Sequence, residues 1–122
     1  MHAHGGSPSA LTVLHVVWLV AGLLISAAGV PMLLRKVKPN GWYGFRTRKT
    51  LSDPKVWYEV NAVVGGDLVL AGAALALTSI LTWDAGLMNL NQVAYLHLAV
   101  IALGVGGSTI HGLLALRRMG SH

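Results

Sequence analysis

Three long apolar stretches, over residues 10–34, 57–83 and 92–116, constrain this chain more than anything else in it. A helix needs roughly 17–25 apolar residues to cross the hydrocarbon core of a bilayer. Each stretch reaches that length, and each is closed by charge, turn formers or polar residues. Charged residues make up only 11% of the 122 residues, less than half the roughly 25% usual in a soluble domain. The predicted fold is an all-α membrane protein with three transmembrane helices. The membrane domain covers 10–118, with a loop at 35–56 and a tight connection at 84–91. Residues 1–9 form an arm in which His2 and His4 precede a Gly-Gly-Ser-Pro run, expected to be exposed and polar. Residues 119–122 look like a remnant of expression and are given no functional weight.

Charge sets the orientation. Arg35, Lys36, Lys38, Arg46, Arg48, Lys49 and Lys55 lie in the first loop, and Arg117 and Arg118 follow the third span. Three crossings put all nine on one side, which the positive-inside rule makes cytoplasmic. The N-terminus is expected outside and the C-terminus inside. Trp57, Tyr58, Trp83 and Tyr95 fall at span ends, where amphipathic rings favour the headgroup level. The first span lacks a basic leader and is followed by Arg35-Lys36, a stop-transfer pattern, so it is expected to stay uncleaved. The +5 net charge therefore follows from topology, and no direct nucleic-acid binding is expected.

The absence of cysteine excludes a disulfide scaffold, a cysteine metal site and a thiol nucleophile. No phosphate-cradling glycine loop, dinucleotide fingerprint or His-Glu-x-x-His pair occurs. Ser108 and His111 stand three apart, but no paired acid comes after them. No catalytic residue, metal or cofactor is expected.

Polar residues inside the spans are therefore conspicuous. Asp67 lies roughly 15 Å along the second span at 1.5 Å per residue. An ionised Asp at that depth costs about 2.5–3.5 kcal/mol on insertion scales. It must be protonated, paired or wetted, unless Gly65-Gly66 breaks the helix and Asp67 caps its second half. Glu59, nearer the interface, is expected to pair with a loop arginine, Arg46 being the first choice. His15, Gly22 and Ser26 recur with the same spacing as His97, Gly104 and Ser108, and Arg35-Lys36 correspond to Arg117-Arg118. Steps of seven hold a residue near one helix face. Two readings stay open. The stripes are packing seams with each His bonded across the bundle, or His15, His97, Asp67 and His111 form a ladder that carries protons or holds a metal. Asn61, Gly65, Gly72 and Ser79 form a further small, polar face on the second span, and the Asn is placed to reach back to loop carbonyls.

The loop carries the remaining signal. Pro39-Asn40-Gly41 is turn chemistry, and Asp53-Pro54 reads as an N-cap with Pro at the first helical position. Trp42, Tyr43 and Phe45 are expected at the interface, with Arg46, Arg48 and Lys49 facing phosphates or partners. Attraction to anionic lipid, about 1 kcal/mol per basic residue, accounts for the charges but not for their order. Pro39-Asn40, Gly44-Phe45-Arg46-Thr47, Thr50-Leu51, Trp57, Asn61 and Gly65 together resemble the signature of the SdpI family of bacterial integral membrane proteins.

That resemblance implies a multi-pass protein of the bacterial cytoplasmic membrane, acting in immunity to, or sensing of, a membrane-active peptide toxin. It also implies an ordered cytoplasmic loop, shaped by Pro39, Asn40 and Gly44 and displayed to a regulator. In that loop Arg46 is held by Glu59 or a loop carbonyl, with Thr47 and Thr50 alongside and with Trp57 and Asn61 anchoring it to the second span. Expected partners are the bilayer, a peptide toxin, a cytoplasmic regulator and further copies of the chain. The founding member carries an additional N-terminal membrane domain, and the likeness here is to the shared module. A small proton- or ion-coupled transporter using Asp67 and the histidines is the alternative, and a membrane-embedded hydrolase the third.

Overall fold

The computed structural model describes residues 9–83 and 88–119. These form four helices and no strand: α1 (Ala10–Leu33), α2 (Arg48–Ser52), α3 (Pro54–Trp83) and α4 (Leu90–Met119). Of the four, α1, α3 and α4 are long and apolar enough to cross a membrane. His2 and His4, Asp84 in the tight connection, and the last three residues lie outside the described residues.

Local chemistry sets the helix ends. Ser9 accepts the Thr12 amide at 3.1 Å, opening α1. Arg35 closes it by adopting φ 61°, which lets the Lys36 amide donate to Pro31 O at 2.8 Å. Asp53 receives the Lys55 amide at 3.0 Å and starts α3 with Pro54 at its first position. At α4 the Asn89 and Gln92 side chains each accept the other's amide, at 2.9 and 3.0 Å, a reciprocal cap. The last two caps carry their helices past the apolar spans. The second long helix begins at Pro54, as the Asp53-Pro54 signal implies, three residues before its apolar span, and the third runs 90–119 around an apolar span of about 92–116. Apolarity marks the membrane-spanning part, whereas caps decide where the helix stops. Met119, expected in the tail, instead ends α4 and packs against the core at the loop end.

The α3 helix runs unbroken through Gly65-Gly66, so Asp67 caps nothing. The reason is packing. Gly65 is buried against α1, and a Cβ there would meet Leu33 N at 2.5 Å and Met32 Cβ at 2.6 Å. Likewise a Cβ on Gly22 would meet Gly72 O and Ala76 N, both at 2.6 Å. The antiparallel α1–α3 seam thus sets His15 beside Ser79, Gly22 beside Gly72 and Gly29 beside Gly65, with the Ser79 hydroxyl donating to His15 O at 2.6 Å. Steps of seven on both helices keep this register. Small residues let membrane helices approach until dispersion and short polar contacts hold them.

The α4 helix packs on the other side of α3, with Gly104 over Ala71 and Gly112 over Val64 and Phe45. Helices α1 and α4 touch each other only slightly, so α3 is the central element. A compact apolar core of Met32, Val56, Val60 and Val64 sits at the loop end, with Phe45 and Leu116 packed on it. The loop and the C-terminal end of α4 therefore share one end of the bundle.

Candidate functional site

The loop is built around two asparagines. Asn40 Oδ1 accepts the amides of Trp42 and Tyr43 at 2.9 and 2.7 Å, and its Nδ2 donates to the carbonyls of Lys38 and Tyr43 at 2.8 and 3.0 Å. That turn comes after Pro39 and delivers the chain to Gly44, whose φ of 119° suits glycine alone. A side chain at Gly44 would also meet Asn61 Oδ1 at 2.8 Å and the Trp57 ring. Asn61, buried on α3, clasps the next residue. Its Oδ1 accepts the Phe45 amide at 2.6 Å, while its Nδ2 reaches Phe45 O at 3.3 Å and Trp57 O at 3.0 Å. Trp57 is fully buried and donates Nε1–H to Val37 O at 2.8 Å.

Thr47 and Thr50 then start α2 by capping each other, and the Thr50 hydroxyl lies 3.1 Å from Phe45 O. The apolar pattern gives no sign of the short α2 helix. Its available signal is the Thr47-x-x-Thr50 spacing, a capping box with threonine at the third position in place of Glu or Gln.

The partner of Glu59 differs from expectation, while Arg46 takes the second of its two expected partners, a loop carbonyl. Glu59 pairs with Arg35 at 2.8 Å rather than with Arg46. The left-handed turn at Arg35 aims that side chain at α3, while Arg46 Nη1 donates to Gly41 O inside its own loop. The three loop aromatic residues differ in burial. Tyr43 donates its hydroxyl to Ala28 O, Phe45 packs under Gly112, and only Trp42 stands out, 80% exposed. Arg48 and Lys55 remain exposed. Gly65 belongs to the helix seam and not to the loop.

At the opposite end, His15 and His97 are both buried, their rings edge to face at 6.2 Å. Each points Nδ1 at the carbonyl one turn back, Leu11 O at 2.8 Å and Val93 O at 2.7 Å. Carbonyls only accept, so both Nδ1 atoms carry the proton. His15 Nε2 faces the Thr82 hydroxyl at 3.2 Å. His97 Nε2 has no hydrogen-bond partner among the described residues, and its ring lies flat on Trp18 at 5.4 Å. Of these two, only His15 is bonded across the bundle among the described residues. Trp18 and Thr82 carry no distinguishing mark in the sequence.

His111 Nδ1 meets Asp67 Oδ2 at 2.7 Å. The acid missing from the Ser108–His111 stretch is thus supplied by α3, although Ser108 is not bonded to His111. Fourteen residues separate His97 from His111, roughly 21 Å along the helix. The four residues therefore form two separate groups rather than one ladder. Among the described residues, no three His, Asp or Glu side chains gather in a metal-binding arrangement.

Residues 36–112 match the model of the SdpI/YfhL protein family. Protein YfhL of Bacillus subtilis (strain 168), described as uncharacterized, is 37% identical over 59 residues. That match covers 48% of this chain and 54% of YfhL, so the chain aligns with about half of that relative's length. No solved structure matches.

Proposed function

Because this chain belongs to the SdpI/YfhL protein family and is a multi-pass membrane protein, we propose that it confers immunity to, or senses, a membrane-active peptide toxin. In this reading the protein lies in the bacterial cytoplasmic membrane, N-terminus outside. The loop is its cytoplasmic output, displayed to a regulator. A peptide held within the bilayer shifts α1 against α3 and so changes how Arg48, Lys55 and Trp42 are presented.

The observation that supports this reading most is the loop's double attachment. Asn61 and Trp57 fasten it to α3, while Tyr43 fastens it to α1. A basic loop that only attracted lipid would need no such fastening. The test is expression in a sensitive bacterium challenged with membrane-active peptides, beside Arg46→Ala. Protection that is lost in the variant, with insertion intact, supports the proposal. Full protection by the variant removes the loop from the mechanism, and no protection by the wild type overturns the reading.

A proton- or ion-coupled transporter is the second reading, favoured by the Asp67–His111 contact. Asp67 lies thirteen residues into α3, roughly 20 Å from its start. Equal proton flux through vesicles carrying the wild type and Asp67→Asn excludes a proton relay through Asp67.

A further inference from the structure

The Asp67–His111 pair is not enclosed by the three helices. The Asp67 side chain is 25% exposed and that of His111 48%. Beside them runs a groove of about 330 Å³ lined by Asp67, Leu70, Ala71, Gly104, Gly107 and Ser108, with no residue of α1 in its walls. In water such exposure would need no explanation. Asp67 lies near the middle of α3 and His111 six residues before Arg117 in α4, so the pair stands within the spans, where such exposure is costly unless something polar or proteinaceous covers it.

Two further observations mark this face as unfinished. Ser26, at the corresponding place in α1, donates to Val69 O at 2.8 Å. Its counterpart Ser108 is only 4% exposed and lines the groove, yet its hydroxyl has no hydrogen-bond partner among the described residues. The second concerns glycine. Gly22, Gly29, Gly65 and Gly72 all abut the backbone of a neighbouring helix, whereas a Cβ on Gly107, which lines the groove, would meet nothing within 4 Å. The α4 helix therefore keeps room for a close backbone approach at the depth of an open polar pair.

We infer that a second copy of this chain completes the site, packing its α3–α4 face on the same face of the first. The cover must be permanent, because the cost of the exposed pair is permanent. A transient peptide would leave it facing lipid between encounters, whereas a second copy is present whenever the first is. The face is also complementary to itself. A two-fold axis along the membrane normal keeps both copies in one orientation and brings equal depths together. It sets the open carboxylate oxygen of Asp67 opposite Nε2 of the partner's His111, and Gly107 opposite its own equivalent. That is the isologous geometry usual in membrane and soluble dimers alike.

The native chain has no cysteine, so single-cysteine crosslinking has no background. Gly107→Cys and, on the outer face of α1, Leu24→Cys are placed separately in dilute phospholipid vesicles and oxidised. The stoichiometry of the unmodified wild type is read in parallel by single-molecule photobleaching. A dimeric wild type, with Gly107→Cys crosslinking at least about tenfold more than Leu24→Cys, supports the inference. Gly107→Leu should then weaken association by about tenfold or more, since a larger side chain props the backbones apart. A monomeric wild type overturns it and leaves the pair to water or a lipid headgroup. Equal crosslinking at both positions, or a dimer unaffected by Gly107→Leu, overturns it as well.

Discussion

Asn61 joins the loop to α3 through both ends of one side chain, and it is buried while doing so. A buried amide left without a partner costs about 1–3 kcal/mol. Asn61→Leu keeps the size but strands the Phe45 amide, while the Phe45 carbonyl keeps the Thr50 hydroxyl. It should lower stability by about 1–3 kcal/mol, read as a fall in melting temperature in micelles and faster proteolysis between Gly41 and Arg48. Arg35→Ala is the contrasting case. Its ion pair with Glu59 is half exposed on both sides, and such pairs contribute about 0–1 kcal/mol. The melting temperature should barely move, and a large fall would show that Arg35 holds the loop through more than its charge. The sequence made the clasp of Asn61 legible, because a polar residue one turn past a tryptophan must bond somewhere. It did not make the partner of Glu59 legible. Seven basic residues were in reach by sequence, and the choice depended on one backbone angle at Arg35.

At the level of elements, the helices were legible and their meeting points only in part. Apolar length alone located α1, α3 and α4, and the repeat of seven on Gly22, Gly29, Gly65 and Gly72 marked a seam. What the repeat cannot say is which seam faces which, since register depends on the crossing of two helices. The structure pairs Gly22 with Gly72 so closely that a Cβ at Gly72 would run into the Gly22 carbonyl and into Ser26. Backbone cannot give way as a flexible side chain can. Gly72→Ala should therefore cost about 1–3 kcal/mol through overpacking. Gly106→Ala, where nothing lies within 4 Å, should change stability by less than about 0.5 kcal/mol in the isolated chain. Unfolding both variants in micelles compares them directly. Equal losses would mean that the close approach at Gly72 is not what resists the added carbon, since helix propensity alone favours Ala over Gly.

For the whole molecule the governing fact is polarity from end to end. The loop and the C-terminal turn of α4, which together carry all nine basic residues, lie at one end, and the buried histidines lie at the other. The equal spacing of His15 and His97 within matching spans made their meeting legible. The separation of that pair from Asp67 and His111 was legible only as a distance along one helix. Basic residues resist transfer across the membrane, so their clustering supplies the energetic basis of the proposed orientation. Leu51, on the exposed side of α2, and Asn91, at the start of α4, mark the two ends without serving in either hydrogen-bonded cluster. In the proposed orientation a membrane-impermeant thiol reagent labels Asn91→Cys from outside intact cells and leaves Leu51→Cys untouched. In inverted vesicles the two exchange. Labelling of Leu51→Cys in intact cells would place the basic loop outside, and a cytoplasmic regulator could then no longer be its partner.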